Sequence, residues 1–324
     1  MLIITNFVRF PARWRASSGV EGEALVVDSL WEFLRYSPRA SLVIVNCNVG
    51  LLMKLRAAYM LLPFLRRPIL GHDIVLRKPM TLKARLTRPL KAWLLSRVDH
   101  YSLHFRDLAG YSRYFGIRPE NSSYVPFKAS VKDRDTFAVT PEGSYILCLG
   151  WSERDYDTFF DAMERLPYPA AIPRPDFANL ARHSSRFTRP PDRLPANVTL
   201  MDDDLSTSAM ARMIEGARIV VLPTVTSRIN ASGIGTYLNA MFMGKCVITS
   251  AGPGSTDVLT RGEALMVPPE DSAALAAMIQ RVWEDNDLRE KTAQAGLRYA
   301  TSLGGEPELR QRVLDVAIEK LRFK

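Results

Sequence analysis

Three places in this chain hold residue types that could do chemistry. The first is Leu222–Asp271. Ahead of it, Arg218–Pro223 is a continuous apolar run of the kind a fully buried parallel strand needs. The polar loop Thr224–Gly233 follows and contains Arg228. Ser232 is expected to cap the next helix, which carries Ile234, Leu238, Met241 and Phe242 on one face and stops at Gly244. Lys245–Ser250 then reads as another buried strand. The loop is therefore predicted at the C-terminal edge of a parallel sheet, just before a helix start. Free backbone N–H groups and the helix dipole favour phosphate there. The second place is Gly150, which ends the run Tyr145–Leu149 and leads through Arg154 and Asp155 to a helix over Tyr156–Leu166. The third is the pair His72-Asp73, after the apolar run Pro68–Gly71. His104 and Asn46 also fall at the C-terminal ends of strand-like runs.

The elements that must position these residues alternate. In the first half, strands are predicted at Leu2–Thr5, Leu42–Cys47, Pro68–Gly71, Asp99–His104 and Tyr124–Phe127. Helices are predicted near Gly22–Arg35, Leu51–Leu62, Leu82–Arg97 and Asp107–Phe115, the last stopped by Gly116. In the second half, strands are predicted at Tyr145–Leu149, Ala170–Pro173, Val198–Met201, Ile219–Pro223, Cys246–Thr249 and Leu265–Val267. Such alternation implies parallel sheets with right-handed crossovers. The polar stretch within Lys128–Gly143 separates the halves. The expected organisation is a domain over 1–130, a linker over 131–143, a domain over 144–305 and a closing helix over 306–324.

With 324 residues, 47% apolar and 24% charged, the chain is long enough for two globular domains. Cys47, Cys148 and Cys246 sit far apart in apolar runs, which predicts three buried reduced thiols and no disulfide. There is no CxxC or HExxH spacing, and no metal site is expected. The start MLIITNF lacks the features of a signal peptide, and no apolar run approaches the ~20 residues that span a bilayer. The expected location is cytoplasmic. The net charge of +9 is concentrated in Leu65–Arg97, where Asp73 is the single acidic residue. Leu82, Leu86, Leu90, Trp93 and Leu94 recur at helical spacing there, with Lys83, Arg85, Arg88, Lys91 and Arg97 mostly elsewhere around the wheel. Two readings stand: a helix over 78–97 lying on the inner face of an anionic membrane, or a helix whose apolar face packs on the sheet. Pro89 must lie in the first turn or kink this helix. Nucleic acid is not an expected partner, because zinc spacing, helix-turn-helix pattern and an aromatic-rich basic sheet are all missing.

Gly233, Thr236, Leu238, Ala240, Met241, Gly244, Lys245, Val247, Ile248 and the Gly252-Pro253-Gly254 turn together resemble the donor-binding signature of glycosyltransferase family 4. The resemblance is specific over roughly residues 142–305 and weaker over 1–130. It implies a GT-B fold, two Rossmann-like α/β domains with parallel sheets facing across a cleft that closes over the linker, the terminal helix crossing back to the first domain. It also implies a nucleotide-sugar donor as co-substrate, no metal or other cofactor, and transfer with retention. By the same resemblance Gly150 and Arg154 approach the donor phosphates, with Arg228, Ser232 and Gly233 at the signature helix, and His72 contacts the donor sugar. The family carries two glutamates in this segment. Their positions here are Ala231 and Asn239, eight apart. Asn239 retains an amide for the ribose hydroxyls, whereas Ala231 retains only backbone. Asp202–Asp204 fits a DxD pattern but reads as an acidic turn. The implied function is sugar transfer to a glycan or lipid-linked acceptor in cell-surface polysaccharide synthesis. The missing acids leave open a non-catalytic sugar-nucleotide-binding or scaffold protein, and a GT-B epimerase is a further alternative.

Overall fold

The computed structural model describes residues 1–131, 139, 140, 142–204 and 206–321. Its contacts divide into two units, Met1–Pro126 with Pro307–Lys324, and Phe127–Glu306. The stretch expected as linker, 131–143, falls mostly outside the described residues.

The first unit is built on β1 (Leu2–Thr5), β2 (Arg13–Arg15), β3 (Glu21–Val26), α1 (Leu30–Tyr36), β4 (Leu42–Asn46), α2 (Val49–Leu61), β5 (Ile69–His72), α3 (Leu82–Leu95), β6 (His100–Leu103), α4 (Ala109–Phe115) and β7 (Ser122–Tyr124). The sheet order is β2-β3-β1-β4-β5-β6-β7, parallel except for the β2–β3 pairing. Setting β2 aside, the order reverses between β1 and β4, so the ligand-accepting edge of this sheet lies after Thr5 and Asn46. Local chemistry sets the boundaries. Ser29 and Glu32 form a capping box on α1, Asn48 caps α2, Thr81 caps α3, and Gly116 ends α4 at φ 66°.

Two expectations for this unit are corrected. The helix predicted near Gly22–Arg35 begins only at Leu30, because Glu21–Val26 pairs in parallel with Leu2–Thr5 and tertiary pairing overrides its helix-forming Glu and Ala. Cys47 is exposed and lies past the end of β4 at φ 51°, so it is not a buried strand residue. Of the two positions open to it, Pro89 takes the one inside α3, beyond the first turn. The unit also includes α11 (Glu306–Leu321), tied to it by Asp315, which accepts from the backbone N–H (2.8 Å) and hydroxyl (2.7 Å) of Ser17.

The second unit follows with β8 (Tyr145–Cys148), α5 (Tyr156–Met163), β9 (Ala170–Pro173), α6 (Phe177–Arg182), β10 (Val198–Met201), α7 (Thr207–Gly216), β11 (Ala217–Leu222), α8 (Ile234–Phe242), β12 (Cys246–Ser250), β13 (Leu265–Val267), α9 (Ser272–Glu284) and α10 (Asn286–Ser302). Its six strands are all parallel in the order β10-β9-β8-β11-β12-β13. Numbered from β8, that is 3-2-1-4-5-6, the doubly wound dinucleotide-binding order. Both sheet faces are covered. Phe159, Phe160, Ile279 and Val282 pack on one, and Ile214, Leu238 and Met241 on the other. Hence β11 and β12 are buried at nearly every position and carry near-continuous apolar runs, Ile219–Leu222 and Cys246–Ile248, rather than an alternation. The strand order reverses between β8 and β11, which fixes the crevice beyond Cys148 and Leu222.

Candidate functional site

At that reversal the loop after β8 pairs with the loop after β11. The backbone N–H of Asp155 donates to Pro223 O (3.0 Å), and that of Val225 donates to Glu153 O (3.1 Å). This short pairing pins Arg154 beneath the start of α8. Its guanidinium is fully buried and donates to Leu149 O (3.0 Å), Ser152 O (3.1 Å) and Thr236 Oγ1 (3.4 Å). Two glycines make the room. A Cβ on Gly150 would lie 2.6 Å from Arg154 Nε and Nη2, and one on Gly233 would lie 2.7 Å from Nη2. Both glycines hold positive φ, 115° and 93°. Arg228 is set similarly, with Nη1 donating to Ser232 O (3.3 Å), Nη2 to Ser250 O (3.4 Å), and Gly252 closing over it. Burial, then the charge of Arg154, lower the Arg228 pKa to about 10; burial also lowers that of Arg154.

Ser232 does not cap α8. Gly233 is the N-cap residue and offers no side chain, so the first N–H groups of the helix have no side-chain cap. The Ser232 hydroxyl instead contacts the Glu153 carboxylate and lies 2.7 Å from Asn230 Oδ1. Glu153, buried and at φ 54°, is a residue that sequence reasoning missed. Its signal is the charged triplet Glu153-Arg154-Asp155 directly after a buried strand. Asp155 is the α5 cap and is fully buried, accepting from Thr158 and, bidentately, from Arg186 (2.8 and 2.5 Å).

A cavity of about 430 Å³ opens beside Arg154, with Trp151, Asp203, Gly233, Thr236 and Asn239 in its wall. Asn239 Oδ1 is already engaged, accepting the backbone N–H groups of Ser130 (2.6 Å) and Val131 (3.1 Å). Its Nδ2 faces Met210 Sδ at 3.8 Å. The amide oxygen expected to be available for a ribose therefore holds backbone, a contact 108 and 109 residues distant that spacing cannot reveal. Asp202 pairs with Arg174 (3.1 Å), and Asp202–Asp204 line an adjoining cavity together with Arg174 and Arg212, sharing Trp151 and Asp203 with the first. Among the described residues no group of three or more His, Cys, Asp or Glu side chains is placed to hold a metal.

In the first unit, Gly150's counterpart edge is occupied by side chains. Asn6 Oδ1 accepts Asn46 N–H (2.7 Å), and Asn6 Nδ2 donates to Asn46 O (2.9 Å), joining the two strands across the reversal. His72 ends β5. It is buried, with Nδ1 2.9 Å from Ser102 Oγ, stacked on Phe7 at 5.5 Å and edge-on to His104 at 5.2 Å. Burial, with the neighbouring His104 next in weight, lowers its pKa to about 3, so the ring is neutral at neutral pH. His104 is also buried, its Nδ1 2.7 Å from Val125 O and its Nε2 3.9 Å from Asp73.

Two Rossmann-like α/β units, the second with a doubly wound sheet and an anion-favouring helix start at its reversal, define a GT-B protein. Residues 180–285 match the family described as Glycosyl transferases group 1. Solved structures with the same fold include Anabaena HepE in complex with UDP-glucose, at 13% identity and TM-score 0.66, covering 92% of this chain and 86% of that one. A glycosyltransferase from Rickettsia africae aligns at 11% identity and TM-score 0.64, covering 93% and 86%. Sucrose-phosphate synthase from Thermosynechococcus elongatus aligns at 15% and 0.61, covering 98% and 88%. No curated protein matches this chain in sequence.

Proposed function

We propose that the protein is a glycosyltransferase using a nucleotide-sugar donor, with the donor diphosphate at the start of α8 against Gly150, Arg154, Arg228, Ser232 and Gly233. One observation carries the reading. Two buried guanidinium groups converge at an uncapped helix N-terminus, with Glu153 the nearest carboxylate acting on both. Such a site favours a dianionic diphosphate and stabilises the charge that grows as it departs. Asn239 would reach the ribose through Nδ2. His72 would contact a sugar hydroxyl as a neutral imidazole and would not serve as an acid or base.

Following the family resemblance, the transfer retains anomeric configuration and delivers a hexosyl group to a glycan or lipid-linked acceptor in cell-surface polysaccharide assembly, without metal. HepE is described with UDP and UDP-glucose, so these are the first ligands to try. We also propose peripheral attachment to an anionic membrane through α3. Its Leu82, Leu86 and Leu90 are 74%, 72% and 62% exposed, whereas Leu94 and Leu95 take the buried positions. The face that a packed core helix would bury is thus at the surface. No helix among the described residues is long and apolar enough to cross a membrane.

Thermal-shift titration with nucleoside diphosphates and nucleotide sugars tests the donor site, because a ligand selective for the native state raises Tm. UDP is expected to stabilise wild type and not Arg154→Ala. No shift with any nucleoside diphosphate refutes the placement. Ala231 and the committed Asn239 oxygen favour a second reading, a sugar-nucleotide-binding protein without transferase activity. Donor binding with no sugar released or transferred to any acceptor selects it.

A further inference from the structure

Away from the donor site, at the N-terminal edge of the first sheet, sits a cluster of cations that none of the chemistry above uses. Arg56 projects from α2 and is only 8% exposed, yet its Nε and Nη1 are buried with no hydrogen-bond partner among the described residues. Arg67, at the same edge, shows how such a group is ordinarily satisfied. It donates to Ala40 O (2.8 Å), Pro38 O (3.0 Å) and Arg66 O (2.7 Å). Arg56 has no such carbonyls. The groups that act on it electrostatically are Arg66, Asp99, Arg97 and Tyr101, with two further cations and one carboxylate among them. Asp99 is shared, with Oδ1 held by Arg66 Nη2 (3.1 Å) and Oδ2 by the backbone N–H of Ile69 (3.0 Å). Arg66 thus holds the one carboxylate at hand, Arg97 donates to Trp93 O (2.9 Å), and Arg56, the deepest of the three, keeps Nε and Nη1 unsatisfied among the described residues. An isolated buried cation is costly unless an anion joins it.

We propose that Arg56, Arg66 and Arg97 form a binding site for a phosphate group. A tetrahedral oxyanion offers acceptor oxygens in more directions than a planar carboxylate, and guanidinium forks match it. Arg66 and Arg97 are exposed enough to admit it, and Arg56 closes its inner side. The rim is apolar. Phe64, 73% exposed, lies two residues before Arg66, and Arg97 stacks over the half-exposed Trp93 ring at 4.5 Å. A phospholipid headgroup and free inorganic phosphate share the required chemistry.

The test compares wild type with Arg56→Met, which keeps the aliphatic volume and removes the charge. Inorganic phosphate, against chloride at matched ionic strength, is expected to raise the Tm of wild type, with apparent affinity about tenfold or more weaker in Arg56→Met. Without phosphate, Arg56→Met should melt no lower than wild type, since the buried group it removes has Nε and Nη1 without hydrogen-bond partners among the described residues. The UDP-induced shift should be the same in both, which separates this site from the donor site. Arg66→Gln and Arg97→Gln, at exposed positions, serve as second variants and should weaken the phosphate response in the same way. Flotation with phosphatidylcholine vesicles, with and without phosphatidic acid, identifies the source. Phosphatidic-acid-dependent binding that Arg56→Met loses and phosphate competes away assigns the headgroup. A phosphate response with vesicle binding unchanged by Arg56→Met assigns free phosphate. Equal phosphate responses in wild type and all three variants, or none in wild type, overturn the proposal.

Discussion

His72 makes a pH-stability prediction that can be worked through. Its pKa in the folded chain is about 3, against 6.5 when unperturbed, because the ring is buried beside His104. Between those values the unfolded chain binds the proton and the folded chain does not. The stability that His72 confers is therefore complete above the unfolded value and is lost as pH falls through it. Proton linkage from pH 7 to pH 5 then amounts to a loss of about 2 kcal/mol from this one group. Glu164 and Glu270, whose carboxyls are held low chiefly by Arg189 and by the Thr226 N–H, lose their contribution mainly below that window, and what falls within it is common to wild type and variant. His72→Asn places a polar atom near Nδ1, against Ser102 Oγ, and removes the titration. The assay is urea unfolding at both pH values for wild type and variant, followed by near-UV circular dichroism and fluorescence so that separate transitions of the two units are recognised. The variant should be less stable at pH 7 because the stacking on Phe7 is lost, but its stability should change about 2 kcal/mol less between the two pH values than that of wild type. Parallel pH profiles for the two proteins would refute the neutral, buried imidazole, and with it the assignment of His72 as an uncharged contact.

Other perturbations probe the second unit and α3. Arg154→Ala and Arg228→Ala should each weaken UDP binding by about 1.5–3 kcal/mol, read by calorimetry, if each makes a charge-assisted bond to the diphosphate; unchanged affinity in both excludes that position. Lys245 is fully buried, donating to Glu142 O and Glu215 O (both 2.7 Å), and burial lowers its pKa to about 8. Its folded pKa lies below the unfolded 10.5, so its contribution rises with pH through that interval, by about 1.5 kcal/mol from pH 8 to 9.5. The buried thiols of Cys148 and Cys246, whose pKa values burial raises, oppose this over the same window, so the rise is measured as wild type minus Lys245→Met, and a flat difference rejects it. Neutralising Lys83, Arg85, Arg88 and Lys91 together should release the protein from anionic vesicles in co-sedimentation and leave UDP binding intact; retained, salt-sensitive vesicle binding counts against α3.

Much of the second unit was legible because its central strands are buried on both faces. Ala170–Pro173, Ala217–Leu222 and Cys246–Ser250 are observed within a residue or two of where their apolar runs place them. Glu21–Val26 was not legible, since its strand character comes from a neighbour twenty-one residues away in sequence and not from its own pattern. Arg154 and Gly233 could be nominated from their places after a strand and before a helix. That the glycine exists partly to admit the arginine depends on the fold bringing residues 154 and 233 together. The positive φ of Glu153 and the capture of Ser130 and Val131 by Asn239 have no sequence signal. Helical spacing identified the Leu stripe of α3, but periodicity is blind to whether a partner covers it.

That uncovered stripe also sets how the protein behaves as a colloid. With a net charge of +9, copies repel one another at low ionic strength and keep their Leu82, Leu86 and Leu90 faces apart. Salt at physiological strength shortens the range of that repulsion to ~8 Å and leaves the apolar attraction intact. Solubility without lipid or detergent should accordingly fall as salt is added, the reverse of ordinary salting-in, and light scattering during dialysis should rise with protein concentration. Polar substitutions at Leu82, Leu86 and Leu90 should abolish that behaviour without altering the donor site.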